Sequence, residues 1–185
     1  MKASICLFST LLGMSSQAYA SGTTATSTSG YLQIQNSSNS ELDGYWGYID
    51  PNIEADNGVV FQFISDKSQA TNFSMEDGNL AGYKTGYVAG STNAEGTASG
   101  DAIYMSDLEL YVQGGEPVVT AEVNDNGVVV LSDSLGDGVV RSLPQACYIT
   151  DVGYLDASLP VFVLGEEYFA SDNCANITLY WRSIN

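Results

Sequence analysis

The chain has 185 residues, with 22 acidic side chains against five basic ones, no histidine and a net charge of −17. That excess of carboxylate excludes the ordinary modes of binding nucleic acid and anionic lipid, in which phosphates are met by Lys and Arg. The lack of histidine excludes Ser-His-Asp and Cys-His nucleophiles and every histidine-ligated metal.

Met1 to Ala20 carries one basic residue, Lys2, then the apolar run Ile5 to Met14, broken only by Ser9, Thr10 and Gly13, and closes on Ala18-Tyr19-Ala20. This reads as a secretory signal peptide cleaved after Ala20, too short and too polar at its end to anchor in a bilayer. A secreted, extracellular protein is therefore expected. No later stretch approaches about 18 consecutive apolar residues, so no membrane partner is expected. The ending Trp181-Arg182-Ser183-Ile184-Asn185 is not the greasy tail of a lipid anchor. Residues 21–30, "SGTTATSTSG", read as a flexible Ser/Thr-rich leader, and residues 31–185 as one domain.

From Tyr31 onward no window shows apolar residues at helical spacing without glycine. Short runs rich in β-branched and aromatic residues recur instead. They are Tyr31–Ile34, Tyr45–Ile49, Val59–Ile64, Phe73–Met75, Tyr87–Ala89, Ala102–Met105, Leu108–Val112, Val118–Val123, Val128–Leu131, Val139–Val140, Cys147–Ile149, Val161–Leu164 and Ile177–Trp181. Clusters of Gly, Asn, Asp and Ser separate them. The pattern predicts an all-β domain, a barrel or a two-sheet β-sandwich.

Asn124-Asp125-Asn126-Gly127, followed by Asp133, admits two readings. As a calcium loop it lacks the closing bidentate Glu and is flanked by strand formers rather than helices. As a hairpin turn it supplies the positive φ that Asn-Gly and Asp-Gly provide. Asp77-Gly78 has the same setting, and the two glycines lie about 49 residues apart. A similar step back from Gly78 reaches Gly30-Tyr31-Leu32, and one forward from Gly127 reaches Asn176. Glycine-led strands follow each joint, at Gly44-Tyr45-Trp46, Gly86-Tyr87-Val88 and Gly138-Val139-Val140. The spacing predicts three units of ~49 residues joined by hairpins.

This organisation resembles the β-trefoil, in which the last strand of each unit turns through an Asp-Gly or Asn-Gly hairpin into the next. Gly30-Tyr31-Leu32-Gln33-Ile34 with Leu42-Asp43-Gly44 is similar to the start of a ricin-type unit. The Gln-x-Trp sugar signature of that family is absent at both Trp46 and Trp181. The whole pattern also looks like small secreted, cell-wall-associated proteins of filamentous fungi.

Cys6 leaves with the signal, and Cys147 and Cys174 remain as a disulfide pair in an oxidising compartment. Asn36, Asn72 and Asn176 head Asn-x-Ser/Thr sequons, candidate glycan sites in a eukaryotic secretory host. Carboxylate pairs are the remaining route to catalysis. The most compact are Glu166-Glu167, which diverge if extended, and Asp151 with Asp156. No catalytic residue, cofactor or metal is expected.

For binding, Asp43-Gly44-Tyr45-Trp46-Gly47-Tyr48-Ile49-Asp50 stands out. Tyr45, Trp46 and Tyr48 crowd a short strand beside Asp43 and Asp50, a composition able to stack on sugar rings and bond their hydroxyls, or equally to fill a core. Alternation sets Trp46 and Tyr48 on one face and Tyr45 on the other. Tyr180-Trp181 is expected in the core. The sequence thus points to a non-catalytic extracellular or cell-wall-associated protein of structural or interaction type. A carbohydrate-binding module acting on cell-wall polysaccharide or glycan is one alternative. A protease inhibitor presenting Thr92 to Asp101 is another, by analogy with trefoil inhibitors.

Overall fold

The computed structural model describes residues 28–52, 59–82, 87–93, 100–107, 119–134, 140–149, 158–168 and 172–184. The expected signal peptide and residues 21–27 lie outside this set, as do the expected strand Leu108–Val112 and the pair Asp151 and Asp156. The described residues are all-β. Fifteen strands run in chain order as β1 (Thr28–Gln35), β2 (Trp46–Tyr48), β3 (Val59–Val60), β4 (Gln62–Ile64), β5 (Phe73–Glu76), β6 (Asn79–Gly82), β7 (Tyr87–Asn93), β8 (Gly100–Asp107), β9 (Thr120–Val123), β10 (Val129–Ser134), β11 (Val140–Arg141), β12 (Leu143–Cys147), β13 (Val161–Gly165), β14 (Cys174–Asn176) and β15 (Thr178–Ser183). Two 3-10 turns, η1 (Ser40–Leu42) and η2 (Lys67–Gln69), complete them, and no α-helix occurs among the described residues.

Strand β1 begins at Thr28, inside the stretch read from sequence as leader. Its first residues are ordered by pairing rather than by composition: Thr28 faces Met75, Ser29 faces Ser74 and Gly30 faces Phe73 on β5. Strand β14 was not legible as a strand either. Cys174-Ala175-Asn176 holds no β-branched residue, and its neighbour β12 imposes the extended form.

The strands join in one strongly curled sheet. Antiparallel pairing runs from β1 to β5, β5 to β6, β6 to β9 and β9 to β10. A Val128–Tyr180 bridge and the bond from Trp181 N to Gly127 O then lead to β15, which pairs with β1 from Gly30–Ser183 to Gln35–Thr178. The remaining strands continue the same sheet by antiparallel pairing: β2 joins β1 to β4, β7 joins β6 to β8, and β13 pairs with β4, β8 and β12.

Both glycine turns are hairpins. Asp77 (φ 50°) and Gly78 (φ 79°) form the two-residue loop between Glu76 and Asn79, the mirror-image turn that matches strand twist. Gly127 (φ 76°) closes the β9–β10 turn, with its N–H donating to Asn124 O at 2.8 Å. Asn124 Oδ1 accepts from the N–H groups of Asn126 and Val128, both at 3.0 Å, so its side chain holds its own loop. Asp133, the acid that closed the calcium reading, is buried in β10 opposite Arg141.

Alternation places Leu32, Ile34, Leu179 and Trp181 inside. They meet Leu42, Leu80, Leu131 and a group of stacked and edge-on rings in which Phe61 lies 5.0 Å from Phe73, 5.5 Å from Phe63 and 5.3 Å from Phe162. Cys147 and Cys174 face each other across β12 and β14 and are bonded, tying a peripheral strand to the sheet. Among the described residues no helix is long and apolar enough to cross a membrane.

Candidate functional site

Strand β2 owes its orientation to Gly47. A Cβ there would stand 2.8 Å from the Phe61 ring and 3.0 Å from Phe73, so this position lies against the core and admits no side chain without displacement. Trp46 and Tyr48, one step to either side, then project outward and are half-buried. Tyr45 packs against the core cluster instead. Backbone bonds hold the strand in place: Thr71 N–H donates to Gly47 O at 2.9 Å, and Ile49 N–H to Thr71 Oγ1 at 2.8 Å.

On the outer side Trp46 stands opposite Gln33 of β1 and meets Tyr31 edge to face, with ring centroids 6.3 Å apart. The Lys67 ammonium lies over both rings, 4.9 Å from the Trp46 centroid and 5.8 Å from that of Tyr31. Lys67 opens η2, whose start is capped by Asp66: the carboxylate accepts from Ser68 N–H at 2.9 Å. That bond holds the Asp66 carboxyl below its ordinary range.

The surface continues along β1 and β15. Tyr31, Gln33 and Gln35 alternate outward with buried Leu32 and Ile34, while Tyr180 and Arg182 alternate outward with buried Leu179 and Trp181. Arg182 Nε donates to Gln33 Oε1 at 2.8 Å, and the guanidinium carbon lies 5.4 Å from the Tyr180 ring. Gln35 Nε2 reaches Gln33 Oε1 at 3.4 Å and Asn36 Nδ2 reaches the Tyr180 hydroxyl at 3.5 Å. One face thus carries the rings of Tyr31, Trp46, Tyr48 and Tyr180, the amides of Gln33, Gln35 and Asn36, and the cations Lys67 and Arg182.

The two aspartates expected beside Trp46 each accept local hydrogen bonds. Asp43 Oδ1 accepts from Ser37 N–H at 2.8 Å, fastening the η1 turn. Asp50 Oδ1 accepts from Asn52 N–H at 2.9 Å and its Nδ2 at 3.0 Å, closing a local turn. Tyr31, Lys67 and Arg182 are the residues that sequence reasoning missed. Period-two alternation along Tyr31–Gln35 could have put Tyr31 outside, but nothing local joins Lys67 or Arg182 to Trp46.

The other candidates are dispersed. Glu166 and Glu167 are exposed after β13, with Glu167 O accepting from Gln145 Nε2. Residues 94–99, the centre of the inhibitor loop, lie outside the described residues. Asn36 and Asn72 are exposed, whereas Asn176 is half-buried in β14 with its N–H bonded to Ser38 Oγ. An open groove of about 350 Å³ between β6, β9 and β10 is lined by Asp77, Asn79, Thr120, Glu122, Val130 and Ser132. No protein-family model matches the chain, and no curated protein or solved structure is significantly similar to it.

Proposed function

We propose that this is an exported, non-catalytic extracellular or cell-wall-associated interaction protein, that the outer face of β1, β2 and β15 is its binding surface, and that the ligand is carbohydrate. The observation that carries the reading is the outward-facing Trp46–Tyr31 ring pair with Lys67 above it and the Gln33–Arg182 bond beside it. Rings offer apolar faces to the C–H side of a sugar, and the amides and guanidinium offer partners to its hydroxyls. Immobilised polysaccharides and a glycan array test it: Trp46→Ala is expected to weaken binding roughly tenfold or more, as loss of a central aromatic anchor does. Binding that survives this change means another surface is used.

The proposal extends to architecture, a β-trefoil of three units. Support comes from the pairing order β1-β5-β6-β9-β10 returning through β15, and from the two glycine hairpins that join β5 to β6 and β9 to β10. Nuclear Overhauser contacts between the Val128 and Tyr180 backbones test closure; their absence, with β1–β15 contacts present, means an open sheet.

A further inference from the structure

Building on the carbohydrate reading, we infer that the ligand is an acidic carbohydrate, a sugar chain carrying carboxylate groups. In a chain with 22 acids and five bases, basic side chains should find carboxylates easily. Yet on this face Lys67 rests on the Trp46 and Tyr31 rings and Arg182 on Tyr180 and Gln33, and among the described residues neither is held by a carboxylate. Tyr31 lies opposite Arg182 in the β1–β15 register and its ring lies under Lys67, so the two basic residues stand on strands and turns that meet at Tyr31. Two cations flanking an aromatic strip make a local positive site on a molecule that repels polyanions elsewhere.

The position of Lys67 also sets selectivity. Its ammonium occupies the ring face that a stacking sugar would take. A neutral sugar displaces that cation–π contact, a loss of roughly two- to fivefold in affinity at an exposed site, and leaves the ammonium without a new partner. A sugar carboxylate takes up the displaced ammonium, and at the other end the planar Arg182 guanidinium suits a carboxylate fork.

Calorimetry on the full secreted chain decides the matter, using oligogalacturonate, the same oligomer fully methyl-esterified, and polyglutamate. The expected result is tighter binding of the acid oligomer than of its ester, a preference erased by high salt. Lys67→Met and Arg182→Gln should each lower the preference for acid over ester about fivefold, the scale of an exposed charge pair. Arg182→Lys retains the charge and guards against loss through misfolding, as do matched thermal midpoints. Equal binding of acid and ester overturns this inference and leaves carbohydrate recognition standing. Polyglutamate binding as tight as the sugar acid shows that charge alone is read, and overturns it as well. Acid binding indifferent to both substitutions overturns the assigned site. No binding to either oligomer, with no glycan bound on the array, overturns the carbohydrate reading itself.

Discussion

Gly47→Ala tests the link between the core and the proposed binding face most directly. The added methyl would arrive 2.8 Å from Phe61 Cε2 and Cζ and 3.0 Å from Phe73 Cε2. Phe61 has little room to retreat, because it is fully buried between Phe63, Phe73 and Phe162 at centroid distances of 5.5, 5.0 and 5.3 Å. Overpacking of this kind costs about 1–3 kcal/mol. Gly127→Ala is the comparison. There a Cβ meets nothing within 4 Å, and the cost is the positive φ of 76° alone, about 1 kcal/mol. Urea unfolding followed by tryptophan fluorescence measures both variants. At roughly 2–4 °C of melting temperature per kcal/mol for a domain of this size, the difference is readable by heating as well. Gly47→Ala should also weaken glycan binding, since β2 must move outward and carry Trp46 with it, whereas Gly127→Ala should not. If Gly47→Ala falls within about 0.5 kcal/mol of wild type, as surface changes do, the packing argument for how Trp46 is aimed is refuted.

Replacing both Cys147 and Cys174 by Ser releases the loop between them, whose sequence separation is 27, and should cost about 3.5 kcal/mol by the chain-entropy model; an unchanged denaturation midpoint would refute that. In a eukaryotic secretory host, peptide mapping should find glycans on exposed Asn36 and Asn72 before half-buried Asn176, and full occupancy of Asn176 alone would contradict the placement of β14. Burial first, then the charges of Tyr45 and Glu41, raise Tyr148 above the ordinary 10.0. Its folded pKa exceeds its unfolded one, so the associated stability is complete below pH 10.0 and is lost as pH rises toward the folded value; a phenolate titration that Tyr148→Phe leaves unaltered speaks against this. Asp66 runs the other way. Its lowered pKa means that its cap is intact above the ordinary 3.8 and is lost as pH falls below it, so Trp46 fluorescence should change there in wild type and not in Asp66→Ala.

The fold class was legible because its signals are local. Asn-Gly and Asp-Gly between short extended runs specify hairpins through the positive φ that glycine supplies, and both turns formed where glycine placed them. A strand set by its neighbour alone was not legible, as Cys174–Asn176 illustrates. At the candidate site, composition singled out the Tyr-Trp-Gly-Tyr segment, and alternation sorted Trp46 from Tyr45 as the structure has them. That Asp43 and Asp50 each accept a local backbone hydrogen bond was not legible, because a carboxylate that binds sugar and one that closes a turn look the same in sequence. Lys67 and Arg182 stayed hidden because their proximity to Trp46 and Tyr31 exists only after β1 has paired with both β2 and β15.

That dependence on pairing gives the surface an unusual tie to folding. Its residues come from the first described strand, the last one and two segments between, and they share a face only when β15 closes against β1 in register. Along β15, Leu179 and Trp181 point inward while Tyr180 and Arg182 point outward. A slip of one residue would exchange the sets, exposing Trp181 and driving the Arg182 guanidinium into a core of phenylalanine and leucine. Burying an unpaired guanidinium is far costlier than any contact at the surface could offset. The register that protects the core is therefore the same one that sets Arg182 opposite Tyr31 and beside Gln33. Chain closure and assembly of the proposed binding face are one event.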